Sequence, residues 1–413
     1  PCKRPIIVID PRAGHGPGIG GFKPDSEIGV ALACGHPCYF VGFTTEPVQG
    51  QTILDVIDAL GSFQDEVIRR HPDAQGLPLA IGNCQAGWAL AMAASIRPER
   101  YGPLLLPGVP LAYWQGTHGG SPMRYAGGML GGTWLTALTG DLGAGKFDGA
   151  WLVSGELRAN DGTRIDLRNI KGPIIVFCSK GDEITPPPQA LGWILELYKD
   201  VDDIRAHDQT IVYSVHEAVG HLGIFVSGSV ARKEHQEFTS NIDLIDVLPP
   251  GLFEAVLTKA GPDTPNAQLV AGEWVLHFEP RDLDDIRALG CNDLADERRF
   301  ATVARVSDIN LGLYRTFWQR YVQALASPVL AQAARKLHPA RLPYELFGQD
   351  GLAMRMLEEA AKEVRAQRRP VPEGNPFTLM QEQFSNTVVT MLDAWRDLRD
   401  GMTEQAFLAI YGQ

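Results

Sequence analysis

Short apolar runs alternate with helix-like segments through the first hundred residues, and this alternation constrains the fold more than any other feature. Strand-like runs cover residues 5–10 (P-I-I-V-I-D), 38–43 (C-Y-F-V-G-F), 77–81 and 101–106. Helical patterns lie between them at residues 26–34, 52–71 and 85–96. Parallel strands are joined by long, right-handed crossovers that usually contain a helix. The alternation therefore predicts an α/β fold with a doubly wound, mostly parallel sheet and helices on both faces.

The pattern is interrupted once and then resumes. Residues 115–162 are rich in glycine and only weakly periodic, so we expect a flap or a reduced cap there. A strand at residues 172–178, a helix near 190–199 and a strand at 210–215 restore the α/β pattern.

A second change of character comes at Leu-Pro-Pro-Gly, residues 248–251. A short strand-like piece follows at 274–278, and the rest of the chain reads as mostly helical. We therefore predict an α/β domain over residues 1–247 and a mainly α-helical region over residues 248–413.

Composition excludes several classes of function. The formal net charge of −12 argues against nucleic-acid partners, which require clustered Lys and Arg. No apolar run approaches the roughly 20 residues of a membrane-spanning helix. Six cysteines in 413 residues form no regular framework, which favours reduced thiols in the cytoplasm over disulfides. We expect no signal peptide, and we expect that residues precede Pro1, since no methionine stands there.

The stretch L-A-I-G-N-C-Q-A-G-W, residues 79–88, has the outline of a nucleophile elbow. In α/β hydrolases this elbow is a strand, a sharp turn bearing the nucleophile and a helix, usually G-x-S-x-G. Gly82 and Ala86 occupy the positions that require small residues, and Gly87 follows. The helix N-terminus favours a thiolate at Cys84. By itself the stretch is equally compatible with Cys84 as a small buried apolar residue.

Two later strand ends offer the partners that a nucleophile needs. Asp182 follows the strand at 172–178, and the strand at 210–215 runs into H-E-A-V-G-H-L-G, which contains His216 and His221. Nucleophile, acid and histidine in this order are typical of α/β-hydrolase triads. The histidine would take the thiol proton and Asp182 would orient the imidazole. We favour His221 because it lies beyond the strand end, and His216 is the secondary candidate.

An oxyanion hole would complete this site. The backbone N–H of Gln85 is the expected first donor. The second would come from the loop after the first strand, at Arg12 or Ala13, because Pro11 has no N–H. The domain over residues 1–247 is then α/β-hydrolase-like and catalytic.

At these residues the sequence resembles the polyhydroxyalkanoate synthase superfamily, and most closely an uncharacterised branch of it. G-N-C-Q-A-G is similar to the family's cysteine elbow. D-E-I, which begins at Asp182, is similar to the family's acid motif, and Gly220-His221-Leu222 is similar to its histidine motif. The resemblance covers roughly residues 5–235 and implies a thiolate that attacks an acyl thioester or ester, giving an acyl-enzyme. In synthases, the hydroxyl of a hydroxyacyl group then accepts the chain. The implied substrate is an acyl-CoA or a polyester, and no cofactor is implied.

Three departures from the family pattern bear on the reaction. Ala86 replaces a glycine, and Glu183 replaces the histidine that follows the acid. The cap between the elbow and the acid-bearing strand is shortened or missing around residues 147–162. Because a cap excludes water, its loss makes a thioesterase, esterase or polyester depolymerase a close alternative to a synthase.

Three other motifs point to different chemistry. G-P-G-I-G-G at residues 16–21, with Glu46 at the end of the next strand, has the outline of a dinucleotide site for an NAD-type oxidoreductase. Gly140 to Lys146 imitates a phosphate-binding loop, but Phe147 stands where Ser or Thr should bind magnesium. Cys34 and Cys38 have no second ligand pair nearby, so we predict no metal site.

The C-terminal region carries apolar residues at helical spacing, among them Phe317, Trp318, Tyr321 and Leu325. Such a face is typical of a core or of a subunit contact, so a homo-oligomer through these helices is possible. A non-catalytic scaffold with a vestigial triad is the alternative from another class of function.

Overall fold

The computed structural model describes residues 3–11, 23–43, 51–120, 122–142, 159, 161–261, 273–337, 348 and 352–412. Eight strands form one sheet in the order β2-β1-β3-β4-β5-β6-β7-β8. They are β1 (Ile6–Ile9), β2 (Cys38–Val41), β3 (Leu79–Gly82), β4 (Leu104–Pro107), β5 (Ile174–Ser179), β6 (Thr210–His216), β7 (Gly251–Lys259) and β8 (Trp274–Pro280). The first seven pair in parallel and β8 pairs antiparallel to β7. The predicted mostly parallel sheet is confirmed.

Helices lie between successive strands from β1 to β7 and follow β8. The longer ones are α1 (Glu27–Ala33), α2 (Ile53–Arg70), α3 (Ala86–Ile96), α4 (Pro122–Met129), α5 (Trp134–Asp141), α6 (Pro187–Leu197), α7 (Val201–Ala206), α8 (His221–Val226), α9 (Gln236–Ser240), α10 (Leu283–Ala288), α11 (Leu294–Leu313), α12 (Gln319–Leu325), α13 (Pro328–Lys336), α14 (Leu352–Ala366) and α15 (Pro376–Tyr411). Short π-helical turns precede α9, at Ala231–His235, and α12, at Tyr314–Trp318. The helical character predicted for the C-terminal region is confirmed.

Alternate residues of the strands pack into separate apolar clusters, which is why the sheet is covered on both faces. In β1, Ile7 and Ile9 join the residues of α2, α3 and α6, whereas Ile6 and Val8 join those of α1 and α8. A parallel sheet buried on both sides needs such continuous apolar strands. The sequence pattern of short, wholly apolar runs has this physical origin.

The structure divides the chain elsewhere than at the expected boundary of residue 247. β7 pairs with β6 and β8 with β7, so Leu-Pro-Pro-Gly at 248–251 is a connection within the sheet. One compact unit, the sheet unit, comprises Pro1–Arg124 and Asp148–Ala301. The other, the helical unit, comprises Tyr125–Phe147 and Thr302–Gln413. Within the described ranges, no helix combines the length and the hydropathy that a membrane crossing requires.

Candidate active site

The turn after β3 places Cys84 in a conformation that side chains rarely adopt. Cys84 has φ +48°, in the left-handed region, and is 9% exposed. Its backbone N–H donates to the carbonyl of Pro107 at 3.0 Å, and α3 begins two residues later. Non-glycine residues held at positive φ cost about 1–3 kcal/mol and cluster at functional sites. The geometry is that of a nucleophile elbow.

Two glycines allow the strand and helix of this elbow to approach each other. A Cβ atom on Gly82 would lie 2.8 Å from the Cα of Gly87, and one on Gly87 would lie 2.3 Å from Val109. Ala86, by contrast, is buried with its methyl group in place. The requirement for small residues therefore falls on positions 82 and 87, so the alanine at 86 does not disturb the elbow.

Asp182 lies in the turn that follows β5 and is 1% exposed. Its Oδ1 accepts the backbone N–H groups of Ile184 at 2.9 Å and Thr185 at 2.8 Å. Its Oδ2 lies 2.7 Å from Nδ1 of His221. Because Oδ1 is engaged by two amides, the carboxylate is held with Oδ2 directed at the imidazole.

His221 is the first residue of α8, after Gly220, and contacts both partners. Its Nε2 lies 3.2 Å from Cys84 Sγ. Burial lowers the pKa of His221, but hydrogen bonds with Asp182 and Cys84 outweigh it and raise the pKa to about 9. Gly108 leaves room for the ring, since a Cβ there would lie 3.3 Å from His221 Cε1. The structure thus brings Cys84, His221 and Asp182 together.

His216, the secondary candidate, is not part of this group. Its Nδ1 accepts the backbone N–H groups of Ala218 and Val219, each at 3.1 Å. Its Nε2 faces the buried carboxylate of Glu234 at 4.0 Å. These contacts make His216 a residue that stabilises the turn leading to His221.

The expected oxyanion donors are only partly within the described residues. Among the described residues, the backbone N–H of Gln85 donates to no acceptor. Arg12 and Ala13 lie outside the described residues, as do the glycines of 16–21 and Glu46. Gly140 lies inside α5 rather than after a strand, unlike a phosphate-binding loop.

The remaining described cysteines differ from Cys84. Cys34, Cys38, Cys178 and Cys291 are free thiols. Burial, with a smaller contribution from Glu27, raises the pKa of Cys38 to about 12. Burial likewise raises the pKa of Cys178. Across the described ranges, no three His, Cys, Asp or Glu side chains gather as metal ligands would.

Sequence reasoning missed a buried polar pair beside the elbow. Asn83, which directly precedes Cys84, is fully buried and donates from Nδ2 to Oε2 of Glu27 at 2.8 Å. Glu27 is 2% exposed. The available signal was a single acidic residue in the otherwise apolar segment E-I-G-V-A-L-A of α1.

Comparison with known proteins shows the family to which the chain belongs. The profile of a family described as a protein of unknown function, DUF3141, matches residues 1–155 and 152–413. The chain belongs to the DUF3141 family. An "Uncharacterized protein in ackA 5'region" from Rhizobium meliloti is 53% identical over 474 residues, covering 100% of the chain. The DUF3141 chain spans 65% of that relative's length.

Solved structures with similar folds are more distant. The alignment with an acylaminoacyl peptidase from Pyrococcus horikoshii covers 60% of this chain and 38% of the peptidase, with 17% identity and a TM-score of 0.38. An esterase from Pyrobaculum calidifontis covers 60% and 79%, with 16% identity and a TM-score of 0.37. Est1E from Butyrivibrio proteoclasticus covers 60% and 90%, with 15% identity and a TM-score of 0.34. Similarities this weak do not identify an activity.

Proposed function

We propose that this DUF3141 protein is a cysteine-nucleophile enzyme that transfers or hydrolyses acyl groups, with hydroxyacyl thioesters or polyesters as substrates. One observation carries the proposal: the continuous contact from Asp182 through His221 to Cys84, at 2.7 and 3.2 Å. The positive φ of Cys84 supports it independently. The substrate class follows from the resemblance to polyhydroxyalkanoate synthases.

The first half of the reaction forms the acyl-enzyme. Cys84 and His221 form a thiolate–imidazolium pair, in which His221 Nε2 holds the proton given up by Cys84, and the thiolate attacks the carbonyl carbon of the substrate. The N–H of Gln85 donates to the oxygen on which negative charge develops. When the tetrahedral intermediate collapses, the bond to the leaving thiol or alcohol breaks and that group takes the proton from His221. Asp182 keeps Nδ1 protonated and stabilises the imidazolium.

The second half transfers the acyl group to an acceptor. His221 removes a proton from water or from a hydroxyl group, whose oxygen attacks the thioester carbon and releases the Cys84 thiolate. One observation favours water: the two family matches meet at 152–155, where the shortened cap was expected.

Incubation with 3-hydroxyacyl-CoA tests the proposal and separates the two acceptors. We expect an acyl adduct in the intact mass of the protein, lost in Cys84→Ala and kept in Cys178→Ala, the matched buried thiol. CoA release without polymer indicates a thioesterase, and polymer indicates a synthase. An undiminished adduct in Cys84→Ala would disprove the nucleophile, and the absence of both adduct and CoA release would favour the non-catalytic scaffold.

A further inference from the structure

A buried carboxylate lies against the turn that carries Cys84. Oε2 of Glu27 accepts a hydrogen bond from Asn83 Nδ2 at 2.8 Å. The backbone carbonyl of Asn83 in turn accepts the N–H of Ala86 at 2.9 Å, which closes the elbow. Asn83 is therefore anchored through its side chain and holds the turn through its backbone.

The other oxygen of the same carboxylate faces the segment that carries His221. Oε1 of Glu27 lies 3.7 Å from Nε2 of His235, at the end of the π-helical turn. That ring nitrogen is 2.8 Å from the carbonyl of Ile224, in the helix that begins at His221. One buried cluster thus contacts the elements that carry both members of the Cys84–His221 pair.

Burying these polar side chains costs free energy in the folded state. Burial raises the pKa of Glu27, and His235 and Asn83 only partly offset it. Oε1 of Glu27, Oδ1 of Asn83 and Nδ1 of His235 are buried without a hydrogen-bond partner in the described structure. Replacing such groups by well-packed apolar residues often leaves a folded protein equally stable or makes it more stable. Stability alone therefore does not explain why the cluster is present.

We propose that Glu27 is a positioning residue for the Cys84–His221 pair, acting through Asn83 on the nucleophile turn and through His235 on the helix of His221. The proposal rests on the proposed function. Cys84 is held at a positive φ that the chain must stabilise from outside the turn, and Asn83 is the adjoining residue. A displacement of about 1 Å in such a pair is enough to slow a reaction by about a hundredfold.

Alkylation of Cys84 by iodoacetamide, followed by peptide mass mapping, tests this without any substrate. Glu27→Gln keeps an oxygen for Asn83, whereas Glu27→Leu removes it at similar volume. Glu237→Leu is the matched control, because Glu237 is 8% exposed, accepts a hydrogen bond from Asn241 at 3.2 Å and has its pKa raised by burial. Cys34 in the same sample reports any general change in thiol reactivity.

We expect Glu27→Leu to slow alkylation of Cys84 about tenfold or more. Glu27→Gln should stay within about threefold of the unaltered protein, and Glu237→Leu should leave Cys84 unchanged. Folded Glu27→Leu protein with the unaltered rate would overturn the proposal, as would equal loss in Glu237→Leu. If Glu27→Leu does not fold, Asn83→Ala removes the same hydrogen bond and decides the matter by the same criterion.

The outcome is distinguishable from a failure of the proposed function. If acyl-enzyme forms but Glu27→Leu alkylates normally, only the positioning role is wrong. If no acyl-enzyme forms while Glu27→Leu still slows alkylation and Glu27→Gln restores it, only the acyl chemistry is wrong.

Discussion

The strands of the sheet unit bury their apolar side chains, whereas the helices of the helical unit leave many of theirs exposed. In the sheet unit, alternate strand residues enter two buried clusters, and Phe177 in β5 is fully buried with its ring centroid 6.0 Å from that of Phe238. In the helical unit, α15 buries Phe407 against Tyr125 but leaves much of its apolar surface exposed. Large exposed side chains on α15 include Phe377, Met380, Phe384, Met391, Trp395, Leu398 and Met402.

The difference follows from backbone hydrogen bonding. The backbone groups of a parallel strand form hydrogen bonds only with neighbouring strands, and helices cover both faces of the sheet. The apolar side chains of such a strand are therefore buried on both faces. A helix satisfies its own backbone groups and can therefore leave an apolar face uncovered. A cleft of about 580 Å³ in the helical unit, lined by Trp134, Tyr314, Trp318 and other apolar residues, has the same character. Large exposed apolar surfaces often mark interaction sites, and the homo-oligomer through these helices stays a prediction.

The largest expected difference between the two units concerns a pair of aspartates, one in each unit. Asp182→Asn should lower acyl-enzyme formation by about 10³–10⁴-fold, because an amide favours the wrong tautomer of His221. Asp141, in the helical unit, accepts hydrogen bonds from Tyr314, Gln319 and Gln323, and Asp141→Asn should leave the rate within about twofold. Single-turnover rates with 3-hydroxyacyl-CoA measure both. Equal losses in the two variants would mean that the chemistry is not confined to the sheet unit.

A pair of phenylalanines tests the difference in packing. Phe177→Ala should reduce the free energy of unfolding by about 3–5 kcal/mol, because it leaves a cavity in the core. Phe384 is 72% exposed, so Phe384→Ala should change it by less than about 0.5 kcal/mol. Urea unfolding at several protein concentrations measures both. A large, concentration-dependent loss in Phe384→Ala would instead show that association covers this face.

The pH dependence of the free energy of unfolding should arise from His221, a residue of the sheet unit. The folded protein holds the proton of His221 up to a pKa of about 9, above the ordinary value of 6.5. Its stabilising contribution is therefore complete below pH 6.5 and disappears as pH rises through 9, a loss of up to about 3 kcal/mol. Urea unfolding between pH 6 and 9.5 should show this slope, and His221→Asn should flatten it.

Tyr314→Phe is the control in the helical unit. Burial and Asp141 raise the pKa of Tyr314 to about 12, so it does not titrate in this range. The slope should persist in Tyr314→Phe, and a slope that also persists in His221→Asn would assign the effect to other groups.

The smallest expected effect concerns two helix caps. Thr52 caps α2 in a capping box with Asp55, and Asn375 caps α15 through Phe377 and Thr378. Replacing either by alanine should cost about 1 kcal/mol. Hydrogen exchange should show that Thr52→Ala lowers protection throughout the sheet unit. Asn375→Ala should lower it only near the start of α15, and a spread into the strands would contradict this separation.

The sequence by itself determined the strand–helix alternation, the mostly parallel sheet and the order of Cys84, Asp182 and His221. These were accessible because each depends on a local pattern and because parallel strands deliver their carboxyl ends to the same edge of the sheet. The helical character of the C-terminal part was accessible in the same way.

Only the tertiary structure decided which side chains meet. It placed His221, the histidine favoured from the sequence, against Cys84 across 137 positions. It also showed that the second position requiring a small residue is Gly87, which packs on Val109. It also extended the sheet beyond residue 247 and joined Glu27 to Asn83 across 56 positions. No local period records such contacts, because they depend on how distant segments pack rather than on the conformation of any one of them.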